Sequence, residues 1–302
     1  MRILTRGDFD GLISSVLLTM VESIREIRFA HPKDAQDGKV EATENDIVVN
    51  MPYIPGCGMW FDHHVTEEAK VEDLGSFKGS FEMAPSAARV IYNHYGADKF
   101  QAEQDLTEML ESVDRLDAAQ LTEDDVTNPQ RWILLGLTLD PRSGLGPEFR
   151  KYFRWLVEYV KELPIDRVLQ HPEVKRRCER VLNEQEEFKK VLEANATQDG
   201  NVIITDLRGK SDLPVGNRFL VFTMFPEANV EVRIFDGYQG STVVAAGKSI
   251  FNRTCNVSCG GLLSKYGGGG HAGAGTAQLR GDRIEDEIRE IVDTFKKNEP
   301  LT

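Results

Sequence analysis

Several short segments of this chain carry residue types at spacings that could do chemistry. The segment RGDFDG at positions 6–11 sets Asp8 and Asp10 two positions apart, just past an apolar run and just before a helical pattern. Carboxylates that close repel each other unless a cation or hydrogen-bond donors stand between them. Taken alone, a helix-capping aspartate and a turn aspartate before Gly11 would account for the pair. The segment FDHH at 61–64 follows another apolar run and places His63 and His64 behind a carboxylate. Imidazole and carboxylate together suit Mn2+ and comparable divalent ions. In ESVDRLDA, Asp114 and Asp117 stand three residues apart, which puts them on one face of a helix.

A second kind of site is offered by GGGGHAGAG at 267–275. Gly267, Gly268, Gly269 and Gly270 lack side chains, so their backbone N–H groups can approach an anion closely and form a nest for it. His271 adds a donor for a phosphate oxygen. Ala272, Gly273 and Ala274 then read as the small-residue start of a helix between strand patterns. A flexible linker is the competing reading of such a glycine run.

These segments need elements to hold them. Apolar runs at 2–5, 27–30, 47–50 and 58–61 alternate with a helical pattern at 12–24, the signature of a parallel α/β sheet. In open α/β sheets ligands bind at the carboxyl ends of strands, where RGDFDG and FDHH both fall. From Pro85 the pattern becomes helical, with further helices near 105–118 and 148–160. A long amphipathic stretch at 173–193 repeats Val174, Cys178, Val181, Phe188 and Leu192 near heptad spacing. One helix packing on its own domain and leading to the next explains it; a coiled-coil partner surface is the alternative. Strand patterns at 202–206, 219–224, 230–235 and 242–246, then a helix at 283–295, predict a smaller α+β domain. The boundary is expected in the turn at 195–200.

At 302 residues the chain has room for two domains. Its formal charge of -13 argues against a general nucleic-acid coat, because polyanion affinity comes from many Lys and Arg contacts. Four scattered cysteines do not make a disulfide framework, and Cys255 and Cys259 have no second pair at zinc-finger spacing. No apolar run is long enough to span a bilayer, and the first residues turn charged too early for a signal peptide, so a cytoplasmic protein is expected.

The order RGDFDG, Asn50 within IVVNMP, FDHH, Asp114 and GGGGHAGAG resembles the DHH phosphoesterase superfamily with its DHH-associated carboxyl-terminal domain, over nearly the whole chain. That superfamily includes RecJ-type nucleases, nanoRNases, cyclic dinucleotide phosphodiesterases, family II pyrophosphatases and exopolyphosphatases; exopolyphosphatase-related proteins look nearest. The resemblance implies a parallel-sheet DHH domain at 1–170, a connecting helix at 171–198, and a substrate-binding domain at 199–302 that closes over the cleft. It implies paired ions that activate water for attack on phosphorus. Asp10, His63 and Asp114 would hold one ion, Asp8 would contribute to the other, and His64 would orient the phosphate. From the second domain, the glycine loop with His271 would bind substrate away from the scissile bond. Ser249, Asn252 and Arg253 are secondary substrate-binding candidates, and Lys248 a lesser one.

Two positions depart from the family pattern. Arg6 stands where a metal-binding His is expected, and Asn50 where a bridging Asp is expected. Arginine has no lone pair to give a metal, and an amide carbonyl bridges poorly. Both changes also move the local charge in the positive direction. Arg6 is therefore expected to stand in for the first metal, clamping carboxylates or a phosphate, with one Mn2+ ion left and Asn50 at most a minor ligand; a site with two ions is the alternative. A plain Arg6–Asp8 salt bridge in a dead site is a further reading.

The expected function is a metal-dependent hydrolase of a small phosphorylated substrate: a short oligonucleotide, a cyclic dinucleotide or polyphosphate. Arg6, Asp8 and His64 are its candidate catalytic residues. The competing function is a catalytically degenerate DHH-family protein that binds a phosphorylated ligand without hydrolysis. Stable duplex nucleic acid and membrane are not expected partners; a homodimer is expected from the family. DPRSGLG at 140–146 makes Asp140 and Arg142 minor cleft candidates. Arg233 is expected in a surface pair. His31, His94 and His171 are assigned no chemistry, and His31 and His171, each before a proline, are read as bends.

Overall fold

The structure is a computed structural model that describes residues 1–100, 106–140 and 145–301. The chain divides into two compact units: Met1–Gln120 with Pro129–Val181, and Leu121–Asn128 with Leu182–Thr302.

In the first unit, β1 (Arg2–Thr5), α1 (Phe9–Val21), β2 (Glu26–Phe29), α2 (Pro32–Gln36), β3 (Asp46–Val49), β4 (Met59–Asp62), α3 (Val65–Leu74) and β5 (Gly79–Phe81) build a parallel sheet of order β2-β1-β3-β4-β5. Ile3, Ile47, Val48, Val49, Trp60 and Phe61 are wholly buried, as strands covered on both faces require. One face packs against α1, α4 (Ala87–Tyr95), α5 (Leu106–Asp117) and α8 (Pro147–Glu162), through residues such as Phe9, Leu12, Val90, Met109 and Phe153. The other face holds Leu4, Val48 and Trp60 against Val71, Leu74 and Phe77. The chain leaves β1 toward β2 and returns on its other side as β3. That reversal opens a crevice at the carboxyl ends of β1 and β3.

After α6 (Glu123–Thr127), which belongs to the second unit, α7 (Arg131–Leu137) and α9 (Ile165–Gln170) complete the first. A single 24-residue helix, α10 (Pro172–Asn195), accounts for the long amphipathic stretch. The second unit contains β6 (Ala196–Asp199), β7 (Val202–Asp206), α11 (Leu220–Met224), β8 (Val230–Asp236), β9 (Thr242–Lys248), α12 (Cys259–Ser264), β10 (Gly269–His271), β11 (Ala274–Leu279) and α13 (Ile284–Lys297). Its sheet runs β10-β11-β9-β8-β7-β6, antiparallel except for β7 beside β8. Leu262, Leu263, Ile291 and Phe295 from α12 and α13 share a core with Val202, Val232 and Val244. The cysteines are free, with Cys255 and Cys259 buried.

Three local expectations are corrected. Residues 220–224 form a helix and not a strand. Leu220, Val221 and Phe222 are all buried, and α11 packs beside α6, so burial of consecutive residues overrides their β propensity. The turn at 195–200 is itself an edge strand, β6, hairpinned to β7 through Gly200. Residues 272–274 begin no helix: Ala274 pairs with His271 across a tight hairpin. Gly268, Gly270 and Gly275 serve close packing there, whereas a Cβ on Gly267 or Gly269 would meet nothing within 4 Å. A Cβ on Gly260 of α12 would lie 2.4 Å from the carbonyl carbon of Gly270, and one on Gly275 would lie 2.9 Å from the Cα of Gly260. No helix among the described residues is long and apolar enough to cross a membrane.

Candidate active site

The loop between β1 and α1 is as tight as its sequence allows. Asp8 caps α1, its Oδ1 accepting the N–H of Gly11 at 2.9 Å. A Cβ on Gly11 would lie 2.3 Å from the carbonyl oxygen of Arg6, so only glycine lets the chain turn here. The turn leaves Asp10 buried in the first turn of α1. Its Oδ2 accepts the N–H of Ala87 and its Oδ1 that of Ala88, each at 2.9 Å. Asp10 is thus anchored on the positive end of α4.

His63 follows β4. Its Nδ1 donates to the carbonyl oxygen of Ala84 at 3.1 Å, which turns Nε2 toward the carboxylates of Asp10 and Asp117. Nε2 lies 3.2 Å from Asp117 Oδ2 and 3.7 Å from Asp10 Oδ2, without the alignment of a hydrogen bond, and is buried with no other partner. Donor atoms of Asp10, His63 and Asp117 all lie within 4.8 Å of one another. Burial, then Asp117, push the Asp10 carboxyl upward, with His63 working against them. Burial works against a charged His63 imidazole, but Asp117 and Asp10 outweigh it and push the group up to about 9. The pocket therefore draws positive charge. An orphaned imidazole nitrogen aimed between two carboxylates fits a divalent ion. A second group, Asp62, His63 and His64, satisfies the same proximity. Here buried Asp62 accepts from His64 Nδ1 at 2.7 Å through Oδ1, and its Oδ2 has no hydrogen-bond partner.

Asp8 is held differently. Arg6 Nε lies 3.0 Å from Asp8 Oδ2, and the Asn50 side-chain N–H group donates to Asp8 Oδ1 at 3.0 Å. Asn50 has a left-handed backbone, φ 56°, a conformation asparagine tolerates better than most residues. Asp8 and, less strongly, Asp117, Asp10 and Asp62 keep the Arg6 guanidinium charged in spite of burial. Burial pushes the Asp8 carboxyl up, and Arg6 opposes that. Both Asp8 oxygens are committed to these donors.

Asp114, expected beside His63, is not among the groups whose ligand atoms cluster there. Its Oδ1 accepts from Ser86 Oγ at 2.6 Å, and its Oδ2 from Arg89 Nε and Nη2 at 2.9 and 2.6 Å. It locks α5 to the start of α4. The carboxylate delivered to His63 is Asp117, about one turn further along the same helix face.

No protein-family profile and no curated protein sequence matches the chain. Among solved structures it is similar to PggH, the pGpG-specific phosphodiesterase of Vibrio cholerae, with 38% identity over 98% of both chains and a TM-score of 0.85. The chain belongs to the DHH phosphoesterase superfamily. An exopolyphosphatase-related protein from Bacteroides fragilis shares the fold at 11% identity, over 98% of this chain and 92% of that one, with a TM-score of 0.53.

In this DHH protein the second unit offers less than its sequence suggested. Gly269 and Gly270 are not a free loop but an edge strand, Gly270 paired with Gly275. Only Gly267, at φ 74°, keeps a turn conformation beside it. His271 is exposed, its Nδ1 accepting the N–H of Gly273 at 3.2 Å. Ser249 is buried and its Oγ accepts the N–H groups of Phe251 and Asn252, while the Asn252 side chain donates to the Glu227 carbonyl. Both build the turn after β9. Arg253 is exposed and donates to the Ile250 carbonyl, and Lys248 to that of Cys255. Arg233 pairs with Glu231. Arg142 lies outside the described residues. His94 packs on Phe61 and His171 on Trp155.

Sequence reasoning missed Ala87 and Ala88 as the seat of Asp10, and Asp62 as the partner of His64. Ser86, the capping residue between Pro85 and the helix, was the available signal for the first, and the aspartate of FDHH for the second.

Proposed function

We propose that this DHH protein is a metal-dependent phosphodiesterase for a short linear dinucleotide of the pGpG type. One divalent ion, Mn2+ the leading candidate, would be held by Asp10, His63 and Asp117. The observation that carries this reading is His63 Nε2, buried, unpaired and facing two carboxylates. The substrate class is supported by the likeness to PggH over 98% of both chains. An ion bound there would lower the pKa of a water and offset charge on the phosphoryl oxygens.

The chain's own side chains do the rest. Arg6, oriented by Asp8, offers its other guanidinium N–H groups to a phosphoryl oxygen. Asp62 keeps His64 Nδ1 as a donor, so Nε2 is free to hold or release a proton at the leaving oxygen. Asp8 serves as the positioning residue for Arg6, and its pairing with the Arg6 cation and the Asn50 hydrogen bond favours one ion over two. In the second unit His271 remains the substrate-binding candidate, on a DHH-associated domain read as 199–302.

The test is incubation of the purified chain with Mn2+ and a panel of pGpG, pApA, cyclic dinucleotides, pyrophosphate and polyphosphate. Hydrolysis of pGpG that disappears in Asp10→Ala is the expected result. Tight binding of pGpG without turnover would instead identify a non-hydrolysing binding protein.

A further inference from the structure

Arg6, Asn50, Asp62 and His64 line a cavity of about 300 Å3 whose walls include none of Asp10, His63 and Asp117. The remaining walls come from residues with no part in the chemistry above. Pro32 and Pro52 supply apolar faces, and His31, Gln36 and Thr66 supply polar tips. His31 uses its Nδ1 to accept the N–H of Lys33 at 3.1 Å, so the other ring nitrogen is left for a ligand. Apolar walls with a few polar groups are the composition of a small-molecule site. The cavity also sits where the strand order reverses, beyond β1, β2 and β3.

Charge decides the ligand class. Among the described residues Arg6 is the one wall residue with a fixed positive charge, while Asp62 and Glu67 are acidic, Glu67 being paired with Lys70. A chain of phosphates would be repelled beyond its first group. A single phosphoryl group followed by an uncharged, flat moiety would not. The volume lies at the small end of ligand pockets, roughly 300 to 1,000 Å3, which suits one nucleoside and not two.

We propose that this cavity holds one nucleoside of the substrate, with Arg6 and His64 at its phosphoryl end and His31, Gln36 and Thr66 reading the base. The inference rests on the dinucleotide reading above and adds the side chains that set its specificity.

The experiment compares pGpG with two analogues, each lacking one guanine, on the Mn2+-loaded full chain. Combined His31→Ala and Gln36→Ala should raise KM for pGpG about tenfold, the equivalent of about 1.4 kcal/mol, with a smaller effect on kcat. On one of the two analogues, the one that leaves the cavity empty, that penalty should vanish. Ala30→Phe, which fills the cavity without removing a polar group, should raise KM in the same pattern. An equal penalty on all three substrates, or none on pGpG, overturns the proposal. If wild type hydrolyses none of them, the dinucleotide reading fails instead. The cavity is then tested by titrating GMP into chelator-treated protein. Binding weakened about tenfold by the double variant supports it; equal binding by both proteins, or no binding at millimolar GMP, sinks it.

Discussion

Asp8 and Asp10 are separated by one residue, yet their surroundings differ in kind. Asp10 rests on backbone N–H groups of α4 and faces an imidazole nitrogen that has no hydrogen-bond partner. Asp8 is met on both oxygens by side-chain donors, one of them a permanent cation. The first environment draws a cation in; the second already contains one. A guanidinium cannot be removed by a chelator or exchanged for another ion, so Arg6 fixes half of the site's charge covalently and leaves the other half to the medium.

The largest test of that contrast is on the Asp10 side. Asp117→Ala or His63→Ala should remove detectable turnover. Each should also abolish the thermal stabilisation by Mn2+, which for wild type at about 100 times Kd should be roughly 5–10 °C. Turnover that persists in both variants would place the ion elsewhere. On the Asp8 side, Arg6→Ala strips a buried carboxylate of its cation. With Arg6 one-third exposed, the metal-free protein should lose about 1–3 kcal/mol in denaturant unfolding. Calorimetry should then find a second Mn2+ where wild type takes one; a single ion in the variant would break the idea that arginine replaces metal.

Asp114 and Asp117 sharpen the same point along one helix. Asp114→Ala should cost about 1.5–3 kcal/mol of stability by stranding Arg89 and Ser86, while Mn2+ affinity by calorimetry stays within about twofold of wild type. A loss of Mn2+ binding equal to that of Asp117→Ala would return Asp114 to the ligand set. The smallest effect concerns a carboxylate outside the site. Burial disfavours charge on Asp46, but hydrogen bonds from Arg2 and Thr43 outweigh it and hold the group below the usual carboxylate range. Its contribution to stability is therefore present above that range and lost as pH falls through the lowered value. Asp46→Asn should flatten the acid limb of a stability-against-pH curve; an unchanged limb would remove the pair from the account.

Much of this was legible without coordinates. The alternation of apolar runs and helical patterns gave the parallel sheet, because strands buried on both faces have to be continuous and apolar. RGDFDG and FDHH marked the carboxyl ends of β1 and β4, where the chain must turn and ligands collect. The failures share a cause. The segments 219–224 and 272–274 were read from local propensity, and each is decided by what packs on it: α6 beside α11, and α12 pressed onto the β10–β11 hairpin. His31 reads in sequence as a bend before proline, and only the fold brings it to the cavity beside His64.

The sequence by itself determined which side chains could bind cations or phosphate and that they would gather at one edge of a parallel sheet, since residue chemistry and strand periodicity are local properties. The tertiary structure decided that Asp117 and not Asp114 meets His63, that Asp8 belongs to Arg6, and that Gly260, Gly270 and Gly275 of the second unit are spent on packing. Those outcomes turn on distances of a few ångströms between segments far apart in the chain, and no spacing along the chain encodes them.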